Sequence, residues 1–324
     1  MAENSAISWT DHTMNFWIGC TKVSPACTNC YAAVDTFARR ERSRGRELWG
    51  PHADRHRTSA ALWKKPYQWN RAEFLECLDC GSRFSKILRS EKYCWECESE
   101  NTVPARQRVF VSSLSDICET HPQITGDMRR EIAKIVMDCE NLDFLFLTKR
   151  PEEFNFLWTQ HFGSPLPDNL WVGTTVENQK YADERIPALL KIPAKVRFLS
   201  CEPLLGHIGF NASPVLRDAF ENKKIHWVIA GGESGSKARP MNPLWVRGLR
   251  DQCKDAGIAF HFKQWGENKP LHEEIADGHY LDLAEQTNML RPGIFSYQGY
   301  VFEKVGKKNA GRLLDGVEHN EFPK

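Results

Sequence analysis

Six short apolar runs in this chain each stop at a group of polar residues, with helical stretches between them. Residues 108–113 lead into Ser115 and Asp116, residues 144–147 into Thr148, Lys149 and Arg150, and residues 170–176 into Glu177 and Asn178. Residues 196–199 lead into Ser200, Cys201 and Glu202, residues 226–230 into Gly231, Gly232, Glu233 and Ser234, and residues 259–262 into Lys263, Gln264 and Trp265. Such β-branched and aromatic runs read as strands buried on both faces, as in parallel sheets. Helical patterns fall at 127–139, 181–190 and 243–256, and a further strand around 15–19 brings the strand count to about seven. The alternation predicts an α/β fold, a partial or complete parallel (β/α) barrel. Chemistry in such barrels sits at the carboxyl ends of the strands. Exit into solvent would explain any single polar strand end; six together point to a polar site at the barrel mouth.

Two regions depart from the pattern and divide the chain. Residues 1–71 start the barrel, 72–105 read as an insertion, 106–266 complete the barrel, and 267–324 read as a tail packed on it. Eleven cysteines are present, and seven of them fall in two tight clusters. Clustering of this kind favours metal ligation over a disulfide framework.

The first cluster is Cys20, Cys27 and Cys30, spaced C-x6-C-x2-C, with Gly19 and Pro25 marking a loop after the first expected strand. Three thiolates on one loop can hold three irons of a [4Fe–4S] cluster and leave the fourth open. A single zinc would need a fourth ligand, for which His12 is nearest. Spacing alone leaves both open. The second cluster, Cys77-x2-Cys80 and Cys94-x2-Cys97, has thirteen residues between its pairs, with Gly81 after the first. That is zinc-ribbon spacing, and in so small a segment the metal would supply the folding energy. An auxiliary iron–sulfur cluster is the rival. Arg83, Lys86, Arg89 and Lys92 lie between the pairs and could meet phosphates, although such ribbons serve equally as structural staples or protein contacts. Cys139 and Cys253 fit apolar helix faces, while Cys118 and Cys201 follow strand ends.

Net charge is only +1, but residues 39–71 carry ten Lys or Arg against three acids. A basic face of this kind could meet nucleic acid; a solvated arginine-rich helix is the plainer account. No apolar run approaches the ~20 residues of a membrane helix, and the polar start lacks a signal-peptide pattern. The expectation is a cytoplasmic protein with no membrane contact.

Several motifs carry a resemblance. Ser8-Trp-Thr-Asp11, the cysteine loop ending in Cys30-Tyr31, Leu147-Thr-Lys-Arg-Pro151, Val176-Glu-Asn178, Ala182-Asp-Glu-Arg185, Glu202-Pro-Leu-Leu-Gly206, Gly231-Gly-Glu-Ser-Gly235, Phe262-Lys-Gln-Trp-Gly266 and Gly311-Arg-Leu-Leu-Asp-Gly316 resemble a phage-associated three-cysteine protein family of unassigned function. The resemblance covers nearly the whole chain outside the insertion. More distantly, the layout is similar to radical S-adenosyl-L-methionine (SAM) enzymes, spore photoproduct lyase especially. These also carry a cysteine loop after the first barrel strand, a Thr-Lys at a middle strand end and a Glu-Arg helix start.

That likeness implies a [4Fe–4S] cluster on Cys20, Cys27 and Cys30, bound SAM and an external electron donor. The implied chemistry is reductive cleavage of SAM to a deoxyadenosyl radical that abstracts hydrogen from a substrate. Lys149 would meet the SAM carboxylate, Gly231, Gly232 and Glu233 the methionine or ribose, and Tyr31 would border the cofactor. Asp116, Glu177, Asn178 and Glu202 are catalytic candidates by position, and Trp265 is either a stacking wall or core. Three departures stand out. The first cysteine gap is six rather than three, Asn29 replaces the aromatic residue before the third cysteine, and the Gly-Gly-Glu follows the sixth strand rather than the second.

The expected function is radical SAM-like modification or repair of a nucleic acid or nucleotide, with a partner protein as a further expectation. Two other readings compete: a zinc-rich nucleic-acid-binding adaptor on a catalytically silent barrel, and a zinc-dependent hydrolase or lyase using the first three cysteines. No His-Glu-x-x-His pairing supports the last.

Overall fold

The computed structural model describes residues 5–85, 93–271 and 293–323. Lys86, Arg89 and Lys92, expected as phosphate contacts, lie outside the described residues.

Seven strands run in chain order across one parallel sheet: β1 (His12–Met14), β2 (Gln107–Val111), β3 (Leu142–Thr148), β4 (Leu170–Thr175), β5 (Arg197–Cys201), β6 (Trp227–Gly231) and β7 (Ala259–Gln264). The sheet is curled into a half-barrel. Alternate residues explain why the runs look apolar throughout. Phe110, Leu145, Trp171, Phe198, Trp227 and Ile229 point inward and pack with Trp9. Their neighbours Val109, Val111, Phe144, Phe146, Val172, Leu199 and Val228 face outward under the helices. Gly173 makes room inside, since a Cβ there would lie 2.4 Å from the Phe198 ring.

Helices Gly126–Asp138, Phe154–Phe162, Gln179–Leu190, Pro214–Glu221 and Pro243–Ala256 connect the strands from β2 onward. Their starts follow from the sequence. Thr125, Asn178, Ser213 and Asn242 each accept a backbone N–H of the first turn, which satisfies donors that would otherwise be orphaned. The last helix buries Val246, Leu249 and Cys253 on one face and stops at Gly257, which has φ +63°. Burial of each aliphatic side chain there contributes about 1.5–3 kcal/mol.

The strand expected at 15–19 needs correction. β1 ends at Met14, and Trp17–Ile18 pairs antiparallel with His56–Arg57, outside the main sheet. Asn15 causes the break: its side chain bonds Ser113 Oγ and the Leu114 N–H, and its carbonyl accepts from Thr58 Oγ1. The sequence search favoured the apolar pair and passed over His12 and Thr13.

The insertion contains a three-stranded antiparallel sheet with Phe74–Cys77 between Arg83–Ser85 and Thr102–Pro104. The tail, whose sequence has no clear strand–helix pattern, contains another: Asn268–Pro270, Ile294–Tyr297 and Tyr300–Lys304. Its hairpin turns on Gln298 (φ +50°) and Gly299 (φ +81°). The turn needs two positive φ values, and Gln-Gly is a weaker signal for it than Asn-Gly. Residues 319–322 then run along β7, with Phe262 N–H donating to His319 O and Glu321 N–H to Phe260 O. Phe322 packs against Trp227 and lies 3.6 Å under the Arg108 guanidinium. Ser8 Oγ sits 2.8 Å from His261 Nε2 of β7, so segments near both chain ends fill the open side of the sheet. No helix among the described residues is long and apolar enough to cross a membrane.

Candidate cofactor site and metal site

Cys77, Cys80, Cys94 and Cys97 place their sulfurs within 4.8 Å of one another, a set that could hold a metal ion. Cys77 and Cys94 are fully buried, and Cys80 and Cys97 face outward. Each pair closes a turn in the same way: Gly81 N–H donates to Cys77 O, and Glu98 N–H to Cys94 O. Gly81 (φ +73°) and Glu98 (φ +59°) occupy equivalent left-handed positions. Burial raises the Cys94 thiol, but the N–H groups of Cys97 and Glu96 and the neighbouring thiols outweigh it and bring it down to about 7.

The other three cysteines lie elsewhere, on the loop that follows Trp17–Ile18. Gly19 permits the turn into it, with φ +113° and room for no Cβ, which would meet Leu48 O at 2.5 Å. Cys27 is buried, Cys20 and Cys30 are half-buried, and all three line one cavity of about 520 Å³ at the carboxyl ends of the strands. Among the described residues, these three do not form a group of ligands that could hold a single metal ion. His12, considered as a fourth ligand, is stacked on Trp69 with ring centroids 4.2 Å apart.

Three carboxylates fasten this loop, one beside each cysteine. Thr21 N–H donates to Glu119 Oε1 at 2.8 Å, Ala26 N–H to Glu177 Oε1 at 3.4 Å, and Asn29 Nδ2 to Glu233 Oε2 at 3.0 Å. Each carboxylate has its own arginine. Arg55 grips Glu119 with two bonds of 2.8 Å, Arg185 reaches Glu177 at 2.8 Å, and Arg239 Nε reaches Glu233 at 2.9 Å. Arg239 also donates to Pro25 O at 3.0 Å, inside the loop itself. Hydrogen bonds from Arg239 and Asn29 hold the Glu233 carboxyl below its usual range despite its partial burial.

A fourth group sits against the first cysteine. Arg150 Nη1 lies 3.9 Å from Cys20 Sγ and 2.9 Å from Asp116, and its other nitrogen donates to Thr21 O at 2.8 Å. Asp116 in turn accepts from Thr148 Oγ1 at 2.6 Å, Lys149 N–H at 2.9 Å and Cys118 N–H at 3.0 Å. Burial, then the Asp116 and Glu119 charges, push the Cys20 thiol well above its ordinary value, while Arg150 pulls it down.

The structure sorts the expected site residues. Lys149, Tyr31, Asp116 and Glu202 line the cavity with the three cysteines. Glu202 is paired with Lys263 at 2.9 Å, whereas Lys149 has no carboxylate within 4.0 Å among the described residues. Tyr31 donates its hydroxyl proton to Ser113 O at 2.7 Å. Glu177 and Glu233 anchor the loop, and Asn178 caps helix Gln179–Leu190. Gly231 and Gly232 allow close packing: a Cβ on Gly231 would meet Glu202 Oε1 at 2.7 Å, and one on Gly232 would meet Trp265 O at 1.9 Å. Trp265 is core, donating to Leu313 O at 2.9 Å.

Ser115 and Gln264 are known from the sequence only as polar strand ends, and Ser112 only as part of its apolar run; none has an individual role there. All three line the cavity, and Ser112 Oγ, Ser115 Oγ and Gln264 Oε1 are buried with no hydrogen-bond partner in the described structure. Ser112 also adopts φ +72°, a conformation that costs a non-glycine residue energy and recurs at ligand sites. A buried polar atom without a protein partner calls for a water, an ion or a ligand group to satisfy it. Arg55, Glu119 and Arg239 were likewise missed, because their partners are distant in sequence.

No curated protein and no solved structure matches this chain. A family model described as a protein of unknown function (DUF5131) matches residues 4–323, nearly the whole length. The chain belongs to the DUF5131 family.

Proposed function

We propose that this protein is a radical SAM-like enzyme whose [4Fe–4S] cluster is held by Cys20, Cys27 and Cys30, and that it acts on a nucleic acid or nucleotide. One observation carries the reading: three cysteines on one fastened loop open onto a polar cavity at the carboxyl ends of a curled parallel sheet. The donor set fits a cluster better than a single ion. Tetrahedral zinc with Zn–S bonds of ~2.3 Å needs its sulfurs about 3.8 Å apart, and among the described residues this trio does not form a group that could hold a single ion. A cluster bonds each thiolate to a different iron and so accepts a wider spacing.

When bound, the cluster and SAM supply reductive formation of a deoxyadenosyl radical, driven by an external one-electron donor. The chain's own residues bind and orient. Lys149 offers a cation that has no carboxylate partner among the described residues, and Ser112, Ser115 and Gln264 offer hydrogen bonds to a polar ligand. Trp9, Phe110 and Leu147 give the same cavity an apolar side. The second cysteine group is a zinc site in this reading, its four thiolates, two of them buried, completing one tetrahedron.

Support for the nucleic-acid substrate comes from residues 39–71, although much of that charge is already engaged. Arg40, Arg44 and Arg46 surround Glu41, Arg55 is buried with Glu119, and Arg57 pairs with Glu131. Arg39, Lys64 and Arg71 face solvent and are the better candidates for phosphate contact. A second reading, an adaptor working through the zinc ribbon, is favoured by Leu78 and Trp95, which occupy equivalent positions in the two knuckles and are more than half exposed.

The experiment is anaerobic reconstitution with iron and sulfide, followed by metal analysis and chromatography for 5′-deoxyadenosine after reduction with dithionite in the presence of SAM. About four irons per chain are expected, lost on replacing Cys20, Cys27 and Cys30 with alanine while zinc is retained. Protein that takes up zinc alone refutes the cluster. Fully loaded, reduced protein that forms no 5′-deoxyadenosine, with or without nucleic acid, shifts the conclusion to the adaptor.

A further inference from the structure

We propose that Arg150 sets the reduction potential of the cluster held by Cys20, Cys27 and Cys30; this rests on the function proposed above. Of the three cysteines, Cys20 alone has a cation recorded against its sulfur among the described residues, with Arg150 Nη1 at 3.9 Å. The guanidinium is fixed in place from three sides. Asp116 holds Nη1 at 2.9 Å, Thr21 O accepts from Nη2 at 2.8 Å, and Glu119 lies 3.8 Å away. Asp116 cannot swing off, since Thr148, Lys149 and Cys118 each donate to it. The Arg150 side chain is only 13% exposed, so solvent screens this charge weakly.

An N–H donor and a positive charge at a ligating sulfur stabilise the more negative, reduced state of a cluster and raise its potential. Asp116 works in the opposite sense by offsetting the charge of Arg150. The couple therefore predicts opposite shifts for two neighbouring substitutions, which a merely structural role for either residue would not produce. In reduction, one electron passes from dithionite to the cluster; no bond forms or breaks at Cys20 and no proton moves.

The test is an anaerobic redox titration of the reconstituted full chain, following the reduced cluster by electron paramagnetic resonance. At a fixed potential the reduced-to-oxidised ratio should fall about tenfold in Arg150→Gln, equivalent to ~59 mV for a one-electron couple. It should rise in Asp116→Asn, and this variant carries the test by itself if Arg150→Gln fails to load iron. Ratios within twofold of wild type in every variant that loads overturn the role of Arg150. A wild-type chain that binds no iron refutes the proposed function instead, so the two failures are distinguishable.

Discussion

Arg55 and Glu119 form the most buried ion pair in the described structure, with side chains 0% and 3% exposed. Replacing Arg55 with methionine keeps the volume and removes the charge. Glu119 would then keep only Thr21 N–H at 2.8 Å and Arg150 at 3.8 Å, and the carbonyls of Leu48, Gly50 and Ala53 would each lose the Arg55 bond, those of Leu48 and Gly50 keeping a backbone donor. Stranding one partner of a buried pair costs about 3–5 kcal/mol. With an unfolding entropy of roughly 2.1 cal/mol/K per residue over 324 residues, this lowers Tm by about 4–7 °C. Differential scanning calorimetry of the metal-free chain measures it directly. The double variant Arg55→Met/Glu119→Leu should be more stable than Arg55→Met, because no orphaned carboxylate remains. Cys20 should also react faster with iodoacetamide in Arg55→Met, since Glu119 holds the next residue. A loss below about 1 kcal/mol, the range of an exposed pair, or a double variant as damaged as the sum of the singles, refutes the argument.

His261 is fully buried, and burial, then Arg312, Lys263 and Arg108, push it down from its ordinary 6.5 to about 3. The native state therefore excludes a proton that the unfolded chain takes up, so stability is present above pH 6.5 and is lost as pH falls toward 3, by about 2–3 kcal/mol at pH 4.5; urea titrations should show this slope flattened in His261→Gln, and identical slopes would count against it. At the four-cysteine group, Glu98→Gly should relieve a left-handed strain of about 0.5–1 kcal/mol; from protein loaded with zinc, release of the ion to a chelator should slow two- to fivefold, and unchanged or faster release removes strain as the cause.

The strands from β2 onward were legible because burial on both faces leaves uninterrupted apolar runs. β1 was not, because its His12 is buried by stacking on Trp69, a partner 57 residues away that no local pattern announces. The site shows the same division. The three cysteines and Lys149 declared themselves by spacing and by position at a strand end, and they do share a cavity. Glu177 and Glu233 were also visible as strand-end acids, but their part in holding the loop depends on Ala26 and Asn29, 151 and 204 residues distant. Nothing local separates a carboxylate that fastens a loop from one that meets a ligand. The four-cysteine group was readable because two short spacings specify nearly all its geometry.

The inward layer of Trp9, Phe110, Leu145, Trp171, Phe198, Trp227 and Ile229 also governs traffic. It stops up the interior beneath the cavity, which makes the mouth a cul-de-sac. Under the function proposed above, a mouth floored in this way would take a terminus or a single unit swung out of line more readily than a chain laid straight through. If that unit belonged to a duplex, its base would have to be extruded at a cost of a few kcal/mol, and sites where stacking is already weak would be favoured.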